Sequence, residues 1–451
     1  MPDRQTLVSL ARQLEDGSLT ARGLAEQCLA RQADPAGQGA VAFISIDPGR
    51  IRKQADAMDA LRATGRAPSP FAGIPVSIKD LFDVEGEVTK AGSRVLANMP
   101  PAKADAAPVA RLRAAGFIPF GRANMTEFAY SGLGMNPHYG NPASPFEREI
   151  GRVSGGSSSG GAVSVAEGIV PLTLGTDTGG SCRIPAAFCS IVGYKPTASR
   201  VPMQGTIPLS KSLDSVGPLG NTAECCAIAF SVLSGRGSSA PAPRPLTGVS
   251  LGVLRNYVTA NMDDTVARAY DRVLAALADA GARLEDVTLE DIERLPELNA
   301  NGGIAAAEAY AWHRDLLEAN GGMYDPRVAS RMRTATAQPK GNYERLQDER
   351  RAMISRTNIA TGRFDALVMP TTPIVPPKFS ELENEDDYIR NNVLVLRNPT
   401  VANFLDRCAI SIPATARGEA PVGFMLMGAH GADEELLALA MSVEKIVRPD
   451  A

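Results

Sequence analysis

Histidine is nearly missing from this 451-residue chain, which holds only His138, His313 and His430. A catalytic triad that needs an imidazole therefore has few places to be built. The six cysteines, Cys28, Cys182, Cys189, Cys225, Cys226 and Cys408, are scattered and form no Cys-x-x-Cys pair. That pattern excludes a disulfide framework and a cysteine zinc site and fits reduced thiols. Aromatic residues make up 5% and the net charge is −4, with both signs interspersed. Neither a stacking platform for bases nor a basic face for nucleic acid or anionic membrane is present. No apolar run reaches the roughly 18 residues of a membrane span. The opening stretch, MPDRQTLVSLARQLEDG, carries charge in each turn and no apolar centre, so no signal peptide is expected and the location read is cytoplasmic.

What is present is ordinary globular composition, 44% hydrophobic and 21% charged. A chain of this length buries enough core to fold without disulfide or metal. Helical spacing over residues 5–32 predicts two helices broken at EDGSLT, with Ser18 or Thr20 as cap. Strands are expected at 40–46, 74–82, 117–121, 169–177, 249–254, 364–373 and 421–428. Helices are expected at 48–65, 105–116, 160–168, 264–281 and 432–446, with residues 297–360 largely helical. The alternation means an α/β fold with a mixed sheet covered on both faces. Length alone suggests about three domains. The best linker-like stretch, SGRGSSAPAPRPLTG at 234–248, nevertheless reads as a surface excursion of one unit, because the strands on both sides fit one sheet.

The stretch GGSSSGG at 155–161 has three competing readings. Gly156, Ser158 and Gly160 match the Gly-x-Ser-x-Gly nucleophile elbow, but the residues before them are charged rather than a buried strand. Of the histidines only His313, in a helical pattern, and His430 lie downstream. A phosphate loop fails because Gly161-Ala162 stands where Lys-Ser/Thr is required. A flexible linker is the third reading.

Further along, LGTDTGGSCRIP at 174–185 puts Ser181 after two glycines and just past a buried strand. Successive N–H groups of residues 178–181 would form an anion nest, where each donor stabilises a developing oxyanion by about 3–4 kcal/mol. A tight turn that happens to carry serine is the alternative. A nucleophilic serine needs a base, and with histidine scarce a buried lysine of lowered pKa is the next option. Lys79 ends the apolar strand IPVSIKD, its stem among Ile74, Val76 and Ile78; a solvated lysine is the alternative there.

Residues 155–186, GGSSSGGAVSVAEGIVPLTLGTDTGGSCRIPA, closely resemble the amidase signature sequence. The resemblance extends to FAGIPVSIKDLFDVEG (71–86), AGFIPFGRANMTEFA (115–129), GYKPT (193–197), SLDSVGPL (212–219), DALVMPTTP (365–373) and PVGFMLMG (421–428). It covers nearly the whole chain and is weakest over 255–360. It implies one large domain, residues 1–451, with a central mixed sheet covered by helices on both faces. The signature core would be about 70–230, and about 255–360 a variable, mostly helical region on the substrate side.

The family's catalytic unit is Ser–cis-Ser–Lys, and the 24 residues from Ser157 to Ser181 match its spacing. The resemblance thus implies Ser181 as nucleophile, Ser157 after a cis peptide as bridging serine, and Lys79 as base. Backbone N–H groups of Thr178, Gly179, Gly180 and Ser181 would form the oxyanion hole, with Asp177 and Arg183 holding the turn; a surface ion pair is the plainer reading of those two. Ala129, Tyr130 and Ser131 align with the acyl-pocket segment, and Ser154 precedes the glycines. Phe128 and Tyr130 favour an apolar or aromatic acyl group, with a place in the core as the alternative for either, and His138 would line the mouth or cap a turn. Ser159, Gly161 and Cys182 depart from the common pattern, and Cys182 raises the idea of a thiol nucleophile. The implied function is hydrolysis of a small carboxylic amide through an acyl-enzyme, releasing ammonia or an amine, with no cofactor and no metal. The alternative is the glutaminase component of a glutamyl/aspartyl-tRNA amidotransferase. The partner expected is a small-molecule amide, with no nucleic acid or membrane, and family analogy alone suggests a homodimer.

Overall fold

The structure is a computed structural model and describes residues 5–416 and 418–448. Eleven strands form one sheet: β1 (Phe43–Ser45), β2 (Pro75–Lys79), β3 (Ile118–Ala123), β4 (Leu172–Asp177), β5 (Val192–Lys195), β6 (Ser215–Gly220), β7 (Ser250–Leu254), β8 (Arg283–Val287), β9 (Ala366–Pro370), β10 (Ala409–Pro413) and β11 (Gly423–Met427). Their order across the sheet is β1-β3-β2-β4-β6-β5-β10-β11-β9-β7-β8. β2 runs parallel to both β3 and β4, and β7 parallel to β8 and β9; the other pairings are antiparallel, so the sheet is mixed.

Every residue of β2, β4, β5, β6, β9, β10 and β11 is buried. A strand buried at every position has both faces covered, which is why these segments read as apolar runs rather than as alternations. Helices supply the cover. Ser159–Ala166 is built of small residues, and all eight are buried. Its glycines are set by close approach: a Cβ on Gly161 would come within 2.5 Å of Thr173 Oγ1.

The two N-terminal helices form at Leu7–Glu15 and Ala21–Ala33, and Thr20 caps the second by accepting the Gly23 N–H. The expected strand at 40–46 is shorter than its apolar pattern suggests. Gly39–Ala42 turns as helix first, and the buried Ala42 carbonyl accepts the Asn124 N–H at 2.8 Å. β4 begins only at Leu172, after Pro171, because the Ile169 and Val170 N–H groups turn back to the Ser164 carbonyl. β6 and β7 share the sheet on either side of the linker-like 234–248, so that stretch is an excursion within it. Edge strand β8 is exposed or half-exposed at four of its five residues and carries the charged sequence RLEDV, which no core-strand pattern would reveal.

Candidate active site

Lys79 and Ser181 belong to the carboxyl ends of neighbouring parallel strands. Lys79 is the last residue of β2, and Ser181 lies in the turn that leaves β4. Carboxyl ends of parallel strands are where open α/β sheets place their ligands. Side chains two apart on a strand share a face. Ser77 uses that face to hydrogen-bond Ser164 on the small-residue helix (3.0 Å), and Lys79 reaches the loop just before that helix.

Lys79 is 1% exposed. Its Nζ donates to Ser157 Oγ at 2.8 Å and to Thr176 Oγ1 at 2.9 Å. Burial lowers its pKa from 10.5 to about 8, against the opposing pull of Cys182, Asp177 and Asp214. Ser157 follows a cis Gly156–Ser157 peptide. Its carbonyl accepts the Thr126 N–H (3.1 Å), while the Gly156 N–H donates to Gly132 (2.8 Å). The Ser158 N–H donates to the Ser181 carbonyl at 3.3 Å and ties the two serine-bearing turns together. The Ser181 hydroxyl makes no hydrogen bond among the described residues, so the contact to Ser157 that a relay requires is not formed.

All of GGSSSGG is buried, which removes the linker reading. The Ser158 and Ser159 hydroxyls have no partner among the described residues. The histidines have other partners among the described residues: His138 meets Glu127, His313 meets Tyr324, and His430 meets Asp406. Neither His138 nor Phe128 lines the cavity at Ser181; Phe128 packs against the His313 ring 4.3 Å away. Cys182 is fully buried with its thiol toward the Gly217 carbonyl (3.6 Å), it does not line the cavity at Ser181, and burial pushes its pKa up, away from the thiolate a nucleophile needs.

Asp177 and Arg183 form a fully buried pair rather than a surface one. Arg183 Nη2 donates to Asp177 Oδ1 at 2.8 Å and Nε to Oδ2 at 3.1 Å. Burial pushes the Asp177 carboxyl up, but the Arg183 guanidinium overrides it and holds the group well below the usual carboxylate range. The same carboxylate accepts the Gly180 N–H (2.9 Å), the Cys182 N–H (3.0 Å) and Asn403 Nδ2 (2.9 Å). This corrects the four-donor oxyanion hole. The Gly180 N–H is already spent on Asp177, whereas those of Gly179 and Ser181 donate to no group among the described residues. Thr178 turns its hydroxyl to Asp214, which burial pushes up to about 6 against hydrogen bonds from Thr178 and the N–H groups of Ser210 and Leu209.

A cavity of about 410 Å³ opens at this turn, and Thr178, Gly179 and Ser181 all line it. So do Ala129, Tyr130 and Ser131, the segment expected to face the acyl group. Ser131 is pinned by its hydroxyl, which donates to Asn392 Oδ1 (3.0 Å) and accepts from Tyr388 Oη (2.8 Å). Ser154 is a correction: it is fully buried, lies outside the cavity lining, and points its hydroxyl at the Gly155 carbonyl 3.3 Å away. Sequence reasoning missed Thr176, Asp214 and Asn403, whose parts depend on strand pairing and on contacts spanning 97, 36 and 226 residues. It also missed Arg331 and Arg397 in the cavity wall. No cluster of three or more metal-ligating side chains occurs among the described residues.

Comparison with known proteins agrees with this geometry. A family model described as Amidase matches residues 25–437. The chain is 34% identical to 2-amino-5-chloromuconic acid deaminase of Comamonas testosteroni, over 98% of this chain and 96% of that one. It is 36% identical to a 1-carboxybiuret hydrolase component of a Pseudomonas species, over 82% of each chain. A glutamyl-tRNA(Gln) amidotransferase component of Symbiobacterium thermophilum is also 34% identical, over 96% of this chain and 94% of that one. A solved amidase superposes with a TM-score of 0.87 at 31% identity, covering 98% of this chain and all of that one. A mixed eleven-stranded sheet, a lysine buried against a serine at one strand end and a glycine-flanked serine at the next thus come with matching sequence from end to end, and the chain belongs to the amidase family, hydrolases of amide C–N bonds.

Proposed function

We propose that the chain hydrolyses a small carboxylic amide through an acyl-enzyme on Ser181. Neutral Lys79 accepts the Ser157 proton while Ser157 takes the Ser181 proton, and Ser181 Oγ attacks the amide carbonyl carbon. The carbonyl oxygen gathers negative charge beside the N–H groups of Gly179 and Ser181, with Thr178 next to them. The proton returns through Ser157 to the amide nitrogen as the C–N bond breaks, and ammonia or an amine leaves. Water then cleaves the ester, giving the carboxylic acid and restoring Ser181. The single observation that carries this reading is the buried Lys79 Nζ, 2.8 Å from Ser157 Oγ. With a pKa of about 8, roughly a tenth of the lysine is neutral at pH 7. The Ser157–Ser181 contact is one that forms as substrate binds, since catalytic hydrogen bonds are often long or unmade before then.

Asp177 and Arg183 act as turn holders in this scheme, and Ala129, Tyr130 and Ser131 as the acyl wall. Residues 1–451 are taken as one amidase unit with a substrate-side region at about 255–360. Tyr257, Leu295, Asn299, Ala305, Arg331 and Thr334 support that reading, since all six line the cavity. Family analogy adds a homodimer, and six scattered cysteines, all free, favour a cytoplasmic location.

The second reading, the glutaminase component of a tRNA amidotransferase, is favoured by the 34% identity to one. One assay separates the two. The purified chain, alone, is offered a panel of aliphatic, aryl and amino-acid amides, and released ammonia or amine is measured. Hydrolysis without a partner is the expected result. Turnover confined to glutamine and dependent on an added partner protein would favour the second reading.

A further inference from the structure

A second cavity, of about 400 Å³, opens between the helix Asn342–Thr361 and three strand ends: the start of β9, the turn before β10 and the end of β11. None of its lining residues lines the cavity at Ser181. Arg407 forms part of the wall and is 3% exposed. Its Nη2 is fully used, donating to Asn358 Oδ1 at 2.8 Å and to Thr361 Oγ1 at 2.7 Å, so the last turn of the helix fixes the guanidinium. Nε is buried without an acceptor among the described residues, and Nη1 donates to none of them. No carboxylate pairs with this guanidinium among the described residues. Burial lowers its pKa, and the one opposing pull is that of the buried Cys408 thiol.

A buried guanidinium ordinarily meets a carboxylate, because a charge taken out of water is costly without a counter-charge. The negative end of the helix offsets only part of the charge here. The two N–H groups of Nη1 are left for an anionic ligand. Asp406, the one acid in the lining, is engaged elsewhere: Oδ1 accepts the Ala198 N–H (3.3 Å) and Oδ2 lies 3.2 Å from His430 Nδ1. The remaining wall is largely apolar. Leu367 and Met427 are at most 1% exposed, and Ile354 and Phe364 stand beside them. An inorganic anion would leave that apolar surface uncovered, whereas a carbon chain would cover it. The one hydroxyl in the lining, that of Thr361, donates to the Thr357 carbonyl at 2.7 Å, so the cavity holds no free nucleophile.

We infer that this cavity is a second ligand site, separate from the active site, for a small organic carboxylate with an apolar body. The carboxylate accepts from Arg407 Nη1, and the carbon chain lies against Ile354, Phe364, Leu367 and Met427. A body of about four to eight carbons suits a cavity of this size. The inference stands apart from the amide-hydrolysis reading, since no group at Ser181 enters it.

The test uses the purified full chain with hexanoate, and hexanol as the uncharged probe of the same length. Titration calorimetry should show hexanoate bound about tenfold or more tighter than hexanol, as befits a charge-assisted pair. Crystals grown with ω-bromohexanoate should place the bromine, by its anomalous scattering, beside Phe364 and Met427. Arg407→Met should weaken hexanoate about tenfold or more, and Arg407→Lys should keep part of the affinity. Because Arg407 also holds the end of the helix, a second variant leaves it in place: Ala429, exposed at the mouth, becomes a plug in Ala429→Trp, which should abolish the same binding. If Arg407→Met fails to fold, that variant and the ratio of hexanoate to hexanol affinity decide the matter. Hexanol bound as tightly as hexanoate, bromine found only in the cavity at Ser181, or undiminished affinity in Ala429→Trp would each overturn the inference. So would the absence of binding at millimolar hexanoate.

Discussion

Lys79 ends β2 with its Nζ 2.8 Å from the Ser157 hydroxyl and forms no ion pair among the described residues. A lysine held this way is a charge the fold has taken out of water without neutralising it. Burial therefore makes the uncharged amine accessible near neutral pH, and an uncharged amine is what a base must be.

The pH profile follows from that direction. Below about 8 the lysine is protonated and cannot accept a proton; above it the base is free. The kcat/KM for a simple amide should rise about tenfold per pH unit up to about 8 and then level. Lys79→Met should lose roughly two to four orders of magnitude and the limb with it. Steady-state kinetics from pH 6 to 9 check this, and a flat profile with acylation rate-limiting would count against the lysine base.

Thr176 offers a finer probe. Its hydroxyl is the second acceptor of the Lys79 ammonium, at 2.9 Å. Thr176→Val keeps the shape and removes an interaction that favours the charged form. The limb should move to lower pH, and the rate above it should stay within about tenfold of the original. A limb that moves to higher pH would contradict the assigned geometry.

The Asp177–Arg183 pair governs stability. Asp177→Asn leaves the Arg183 guanidinium buried without its counter-charge and replaces one of the two oxygens that accept the Gly180 and Cys182 N–H groups with an amide NH2, which cannot accept. Breaking a buried pair in this way costs about 3–5 kcal/mol. Urea denaturation should show a loss of that order, and an unchanged midpoint would mean the turn is held by something else.

Much of this was legible in the sequence, and the misses have physical causes. The apolar run before Lys79 pointed to a covered strand, and Ile74, Val76 and Ile78 are at most 1% exposed; the sequence leaves open whether the lysine at its end is buried or solvated, because that depends on the loop packed over the strand end. The glycine-flanked Ser181 announced a turn with free N–H groups. Which N–H groups stay free was not legible, since Asp177 reaches forward three residues to take the one on Gly180. The helix Glu385–Phe404, which brings Arg397, Asn398 and Asn403 to the site, was hidden by Pro399 in its interior, a residue that ordinarily ends a helix. Arg331 and Arg397 are 66 positions apart and on different helices, so their shared cavity is a product of packing alone.

The identity of the attacking oxygen is the point on which the chemistry turns, and covalent labelling reads it directly. A fluorophosphonate incubated with the purified chain, followed by digestion and peptide mass analysis, should place the adduct on Ser181, and Ser181→Ala should take up none. An adduct on Ser157, Ser158 or Cys182, or undiminished labelling of Ser181→Ala, would contradict the account.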